Sequence, residues 1–132
     1  MSEQDVETLR AVYARWERGD LTASLPLFDE NLTLAIDPDI PDGGTYEGPD
    51  GVREYMSRFL DAWESLTIAG ESFKEVGDTV LVEVRQSGTG RGSGAPVETG
   101  YFQLWTFRGR KVIHLEVTLS EQRALEAAGL SE

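Results

Sequence analysis

Residues 79–119 read "TVLVEVRQSGTGRGSGAPVETGYFQLWTFRGRKVIHLEVTL", and the period of this stretch decides the fold. Val80, Val82 and Val84 alternate with Leu81, Glu83 and Arg85, which is the two-residue period of a half-buried strand. A glycine-rich loop, "GTGRGSGAP", separates that strand from "VETGYFQLWTF", and a tight "RGR" turn leads into "KVIHLEVTL". The three runs make an antiparallel meander. Its faces depend on the "RGR" turn. One reading turns Tyr101, Gln103 and Trp105 inward, and a two-residue loop exchanges them with Phe102 and Leu104. In the last strand Ile113, Leu115 and Val117 share a phase, opposite to His114, Glu116 and Thr118.

Upstream, Leu66 to Val76 reads as a long irregular strand closed by a turn at Gly77-Asp78, so the meander covers residues 66–119. Before it the period is helical. Val6, Leu9, Tyr13 and Trp16 form one stripe of a first helix that Gly19 ends. Asp20 is placed to cap a short second helix, "LTASL", limited by Pro26. Asp50 is placed to cap a third, "GVREYMSRFLDAWESL", whose Val52, Tyr55, Met56, Phe59, Leu60 and Trp63 make a broad apolar face. Leu32 to Ile36 is a strand that stops at Asp37-Pro38. Ser120 caps a last helix, "EQRALEAA", closed by Gly129. Helices followed by a meander predict an α+β domain spanning residues 1–132.

Composition narrows the function. The 132 residues hold 24 acidic and 12 basic side chains, a net charge of −12. Such a surface repels phosphate backbones, which excludes nucleic acid as the expected partner. There is no cysteine, hence no thiolate chemistry and no disulfide framework. The N-terminus is polar and acidic, unlike a signal peptide, and no apolar run reaches membrane-spanning length; the expected setting is cytoplasmic, without membrane contact.

Motifs of known chemistry are mostly missing. The glycines of "SGTGRGSG" have neither dinucleotide nor phosphate-loop spacing and precede a strand. Asp37, Asp39 and Asp42 do not make a calcium loop, because Pro41 occupies a ligand position. His114 is the only histidine, which leaves no histidine metal cluster; neither metal nor cofactor is expected. It reads first as a surface or interface residue beside Glu116, and as an acid–base residue should it reach a pocket. Eight large rings, Tyr13, Trp16, Tyr55, Phe59, Trp63, Tyr101, Trp105 and Phe107, converge on one interior. With Gln103 among them they suit either a packed core or an apolar pocket with a few polar groups.

The order "WERGDLTASLPLFDENLTL", "YEGPDGVREYM", "FRGRKVIHLEVTL" and "ALEAAGL" resembles the SnoaL-like branch of the nuclear transport factor 2-like superfamily over nearly the whole chain. The resemblance implies a cone of curved antiparallel sheet wrapped on helices, open to a pocket and often dimeric through the outer sheet face. That superfamily includes ketosteroid isomerase, SnoaL-type polyketide cyclases and limonene epoxide hydrolase, with many members of no known reaction. In the isomerase an Asp-Pro pair ending the first strand is the base, and Asp37-Pro38 resembles it. Carried over, Asp37 points into the cone mouth among Trp16, Tyr55, Phe59 and Trp105, its pKa raised by burial. The isomerase's two donors fall nearest Gln103 and Tyr13. Arg85 lies near the hydrolase's arginine, but Val117 stands where its acid is required.

Three classes follow. One is a cofactor-independent isomerase, cyclase or hydrolase of a small hydrophobic molecule, with Asp37 as base and Tyr13 or Gln103 as donor. Another is a non-catalytic binder of such a molecule. The third is a structural dimerisation domain. The expected pocket residues are Trp16, Tyr55, Phe59, Trp63, Val82, Val84, Tyr101, Trp105, Leu115 and Val117. The expected homodimer face is Leu81, Glu83, Arg85, Phe102, Leu104, His114 and Glu116. An open cavity with Asp37 converging on a donor favours the enzyme, and one lined by carbon favours the binder.

Overall fold

The computed structural model describes residues 2–127. In chain order, helix α1 (Ser2–Glu17) leads through turns and a single 3-10 turn (Leu25–Leu27) into strand β1 (Phe28–Ile36) and a short strand β2 (Gly44–Glu47). Helix α2 (Gly48–Asp61) follows, then β3 (Trp63–Val76), β4 (Thr79–Gly90), β5 (Pro96–Arg108), β6 (Lys111–Thr118) and helix α3 (Glu121–Ala127). The strands form one sheet in the order β2-β1-β6-β5-β4-β3. The α+β class holds, but the sheet is mixed: β1 runs parallel to β6 and every other pair is antiparallel.

The α1 stripe follows the helical period, with Leu9, Val12, Tyr13 and Trp16 all buried. Gly19, at φ +94, donates to the Trp16 carbonyl and ends the helix. Asp20 caps no second helix. Its carboxylate takes Thr22 and Arg15 instead, and Pro26 admits only the 3-10 turn. Strand β1 begins at Phe28, earlier than Leu32, and β2 pairs with it from the loop after Asp37. Helix α2 starts at Gly48 rather than after Asp50, because Pro49 suits a first helical turn where no backbone donor is needed. It ends at Asp61, and Trp63 already belongs to β3.

The "RGR" turn holds two residues, since Arg108 pairs with Lys111. By register alone that exchanges the two faces. A bulge prevents it: Phe107 pairs with Val112 while Thr106 pairs with His114, so Ile113 is the extra residue. Val112, not Ile113, enters the core, and beyond the bulge Trp105 faces Leu115 and Gln103 faces Val117 on the inner side.

The core lies on the face covered by α1 and α2, around Trp105, which is fully enclosed. Its ring stacks on Phe28 at 6.2 Å and meets Tyr13 edge-on at 6.1 Å. Gly70 permits the Tyr13 approach: a β-carbon there would stand 3.1 Å from the Tyr13 ring and 2.8 Å from Phe73. On the opposite face α3 packs Ala124 against Leu81 and Leu104, with Phe102 and Leu125 at the margin. Ser120 caps this helix by accepting from the Arg123 amide at 3.2 Å. Gly129 lies outside the described residues. Leu81 and Leu104, expected on a dimer face, are thus covered by the chain's own helix.

Candidate functional site

Between α2, the loop after β1 and the inner face of β4 and β5 lies a cavity of about 390 Å³. The amphipathic face of α2 explains it. Tyr55, Met56, Phe59 and Leu60 turn inward but stay half-buried, because they border the space instead of filling it. Leu34, Ile36, Ile68 and Val117 close the floor and walls. The mouth is framed by Asp39, Ile40, Pro41 and Asp42 together with Val97 and Leu119, the two large apolar side chains that stay exposed among the described residues.

Of the ten residues expected in the pocket, Trp16, Tyr55, Phe59, Trp63, Tyr101 and Val117 line this cavity. Val82, Val84, Trp105 and Leu115 do not; they are packed into the core beneath it. The reason is depth. Alternation places all ten on the inner face, but the α1 rings cover the middle of the sheet and leave only its end open.

The polar groups of the buried end are two glutamines. Trp105 Nε1–H donates to the Tyr13 hydroxyl at 3.0 Å, and that hydroxyl donates in turn to Gln103 Oε1. Tyr101 donates to Gln86 Oε1 at 2.8 Å. Burial pushes the Tyr13 and Tyr101 phenols well up and the Tyr55 phenol up to about 12, so all three stay neutral. Tyr13 therefore sits behind Gln103 rather than in the cavity. Gln86 was not among the expected residues. Its signal was present: it continues the inward phase of Val80, Val82 and Val84, as Gln103 continues that of Tyr101 and Trp105.

Asp37 is not where the Asp-Pro resemblance places it. Its side chain is 2% exposed, yet it does not border the cavity. Oδ1 accepts from the Asp39 amide at 3.0 Å, and Oδ2 accepts from the Leu119 amide at 3.3 Å and Arg123 Nη1 at 3.0 Å. The Asp39 amide, with help from Leu119 and Arg123, holds the carboxyl below its ordinary 3.8, against a smaller upward push from burial. The expected rise is thus a fall. Proline and carboxylate together fix the turn that carries the cavity mouth, where the Asp37 carbonyl also accepts from the Ile40 amide at 2.9 Å. Arg123, which completes this tie, left no mark in the sequence, because a lone arginine on a short polar helix reads as solvated surface.

His114 lies beside Glu116 on the outer face at 3.3 Å, away from the cavity. Arg85 pairs with Glu71 at 3.0 Å, also outside it. Among the described residues no cluster of histidine or carboxylate side chains has the makings of a metal site, and no helix is long and apolar enough to cross a membrane.

Residues 9–115 match the family model described as SnoaL-like domain. Curated protein sequences give no match. Among solved structures, a nuclear transport factor 2-like protein from Burkholderia thailandensis is 24% identical, with a TM-score of 0.76 over 92% of this chain and 94% of that one. TerC, co-crystallised with polyporic acid, is 20% identical, with a TM-score of 0.75 over 94% and 97%. A Catenulispora acidiphila protein of ketosteroid isomerase-like fold, in complex with trimethylamine, is 22% identical, with a TM-score of 0.73 over 94% and 93%. At these identities the likeness establishes the fold.

Proposed function

The chain belongs to the SnoaL-like domain family, and we propose that its function within that family is to bind a small, mainly apolar molecule in the cavity above β4 and β5. One observation carries this reading: a cavity of about 390 Å³ stays open among carbon-lined walls while every core position beneath it is filled. A purely structural domain has no reason to leave half the apolar face of α2 unburied. That two similar structures were solved with small molecules, polyporic acid and trimethylamine, accords with the reading.

Binding is favoured over catalysis by Asp37. The carboxylate best placed by resemblance to act as base is consumed by two amides and an arginine, and its lowered pKa makes it a weak proton acceptor. The homodimer belongs to this reading only over the part of the outer face that α3 leaves uncovered, around Glu83, Arg85, His114 and Glu116.

Phenylnaphthylamine, a neutral apolar fluorophore, is the test. Wild type is expected to give a saturable fluorescence rise. Val117→Phe, which narrows the cavity, is expected to abolish it while circular dichroism stays unchanged. No saturable rise in wild type, or an equal rise in a folded Val117→Phe, overturns the reading.

A further inference from the structure

We infer that the cavity selects an uncharged ligand through a carbonyl oxygen, which the side-chain amides of Gln86 and Gln103 bind as donors. The inference rests on the binding reading above and adds the chemical class of the ligand.

The argument is one of polarity. A glutamine amide offers an acceptor oxygen and a donor nitrogen, and which one faces a ligand depends on what holds the other. Here the choice is made behind the cavity wall. The Trp105 indole can only donate, so the Tyr13 hydroxyl accepts from it and sends its own hydrogen to Gln103 Oε1. Were the amide reversed, its Nε2 would meet a hydroxyl already receiving one hydrogen, and the Tyr13 hydrogen would have no acceptor. Tyr101 likewise donates to Gln86 Oε1 at 2.8 Å, although no second donor on its own hydroxyl fixes the direction.

Each Oε1 is held by a tyrosine hydroxyl, and both Nε2 groups remain. No acceptor among the described residues takes either one. Trp16 Nε1 is the one fully enclosed side-chain polar atom without a partner among the described residues, so the two amide nitrogens reach accessible space. For two buried residues that line the cavity, that space is the cavity. Trp16 lines it too. The two unpaired nitrogens that reach the cavity are therefore both donors, while the Trp16 nitrogen stays enclosed.

Charge completes the class. Arg58 is the only cation among the described lining residues, and it is engaged with Glu54 at 2.8 Å. The other ionisable lining groups besides the tyrosines are Asp39 and Asp42 at the mouth, on a chain of net charge −12. A carboxylate ligand would shed its hydration with no cation to replace it. A ketone oxygen loses less and gains two amide donors. Tyr13 touches no ligand in this scheme; it is a positioning residue that sets the direction of Gln103.

The test displaces phenylnaphthylamine with three probes of one frame: acetylnaphthalene, ethylnaphthalene and trimethylnaphthylammonium. The ketone is expected to bind at least about fivefold tighter than the ethyl compound, the yield of one or two net hydrogen bonds. Its carbonyl stretch is expected at lower wavenumber when bound than in hexane. Gln103→Leu and Gln86→Leu are each expected to reduce the ketone preference and shift the stretch back. Tyr13→Phe, which frees the Gln103 amide to turn, is expected to lower the ketone preference while leaving ethylnaphthalene affinity unchanged.

Equal binding of ketone and ethyl probe to wild type, or an unshifted carbonyl stretch, overturns the inference while the cavity reading stands. Tighter binding of the ammonium probe than of the ketone also overturns it, in favour of a cation held by the aromatic walls and the acids of the mouth. These wild-type measurements decide the matter even where a variant fails to fold. Failure of phenylnaphthylamine itself to bind removes the underlying reading instead.

Discussion

Arg123 Nη1 stands 3.0 Å from Asp37 Oδ2, so the last described helix is tied to the turn that carries the cavity mouth. Asp37 follows β1 and Arg123 belongs to the helix after β6, and the Leu119 amide shares the same carboxylate oxygen. Half of this pair is buried and half is not: the Arg123 side chain is 57% exposed. Screening by water leaves the ion pair itself a small contribution, and the two amide hydrogen bonds carry most of the effect.

Asp37→Asn is accordingly expected to lower stability by about 1–3 kcal/mol, because an amide nitrogen would face donors from Leu119 and Arg123. Urea denaturation measures it. The folded carboxyl titrates below its ordinary 3.8, so its contribution is fully present above that value and fades as pH falls through the lower folded pKa. The gap between wild type and mutant should therefore be constant near neutrality and close below about pH 4. A gap that widens in acid would refute the assignment. The ketone preference should be the same in both proteins, since Asp37 does not border the cavity.

Ile113 offers a test of the sheet. Its deletion leaves a regular two-residue hairpin in which His114 still opposes Thr106 and Leu115 still opposes Trp105, so the inner face is kept. With Leu115 and Val117 still inward, the deletion variant is expected to fold, read as a retained cooperative urea transition. Ile113→Ala, which keeps the backbone insertion, is also expected to fold. Loss of the transition in the deletion variant but not in Ile113→Ala would show that Ile113 is not the surplus residue of this hairpin.

This bulge also marks how far the sequence could be read. Strand existence and type were legible in the alternation of Val80 to Val84 and Tyr101 to Trp105, because a side-chain period of two leaves a direct trace. The turn at Gly109 was legible too. The compensating insertion was not, since Ile113, Val112 and Leu115 are all apolar and any of them suits the core. Asp37 failed for the opposite reason. Its neighbours in sequence are those of a resembling base, but its partners Leu119 and Arg123 are more than eighty positions away. Gln103 and Gln86 were readable as inward polar residues; the direction of their amides depends on Tyr13 and Tyr101, which only the fold brings to them.

Helix α3 should act as a cover. Its described part is seven residues long, too short to persist unless docked, and Ala124 is fully enclosed against Leu81 and Leu104. Ala124→Asp places an unpaired carboxylate in that contact and is expected to release the helix. Leu81, Leu104 and Phe102 then form an exposed apolar strip on β4 and β5, and light scattering should show concentration-dependent association beyond the wild-type state. Ala124→Ser, nearly the same size, should leave the mass unchanged. An unaltered mass for a folded Ala124→Asp would mean that α3 does not shield this face.

The buried tyrosines set the alkaline limit of the fold. Tyr13 and Tyr101 hold their hydrogens against ionisation chiefly through burial, and Tyr55 is pushed up to about 12 by burial with smaller contributions from Tyr46 and Asp42. In the unfolded chain these phenols titrate near 10, so between the two values the unfolded state releases protons that the folded state keeps. Their contribution to stability is intact below pH 10 and is lost as pH rises toward the folded values. Absorbance at the phenolate band should therefore rise in a late step that coincides with loss of the near-ultraviolet circular dichroism of Trp105. Tyr101→Phe removes one of these titrations and should shift the alkaline unfolding midpoint upward, relative to its own stability at neutral pH. Full ionisation of all four tyrosines below pH 11 with the fold intact would contradict both the buried placement of Tyr13 and the hydrogen-bond direction that Gln103 takes from it.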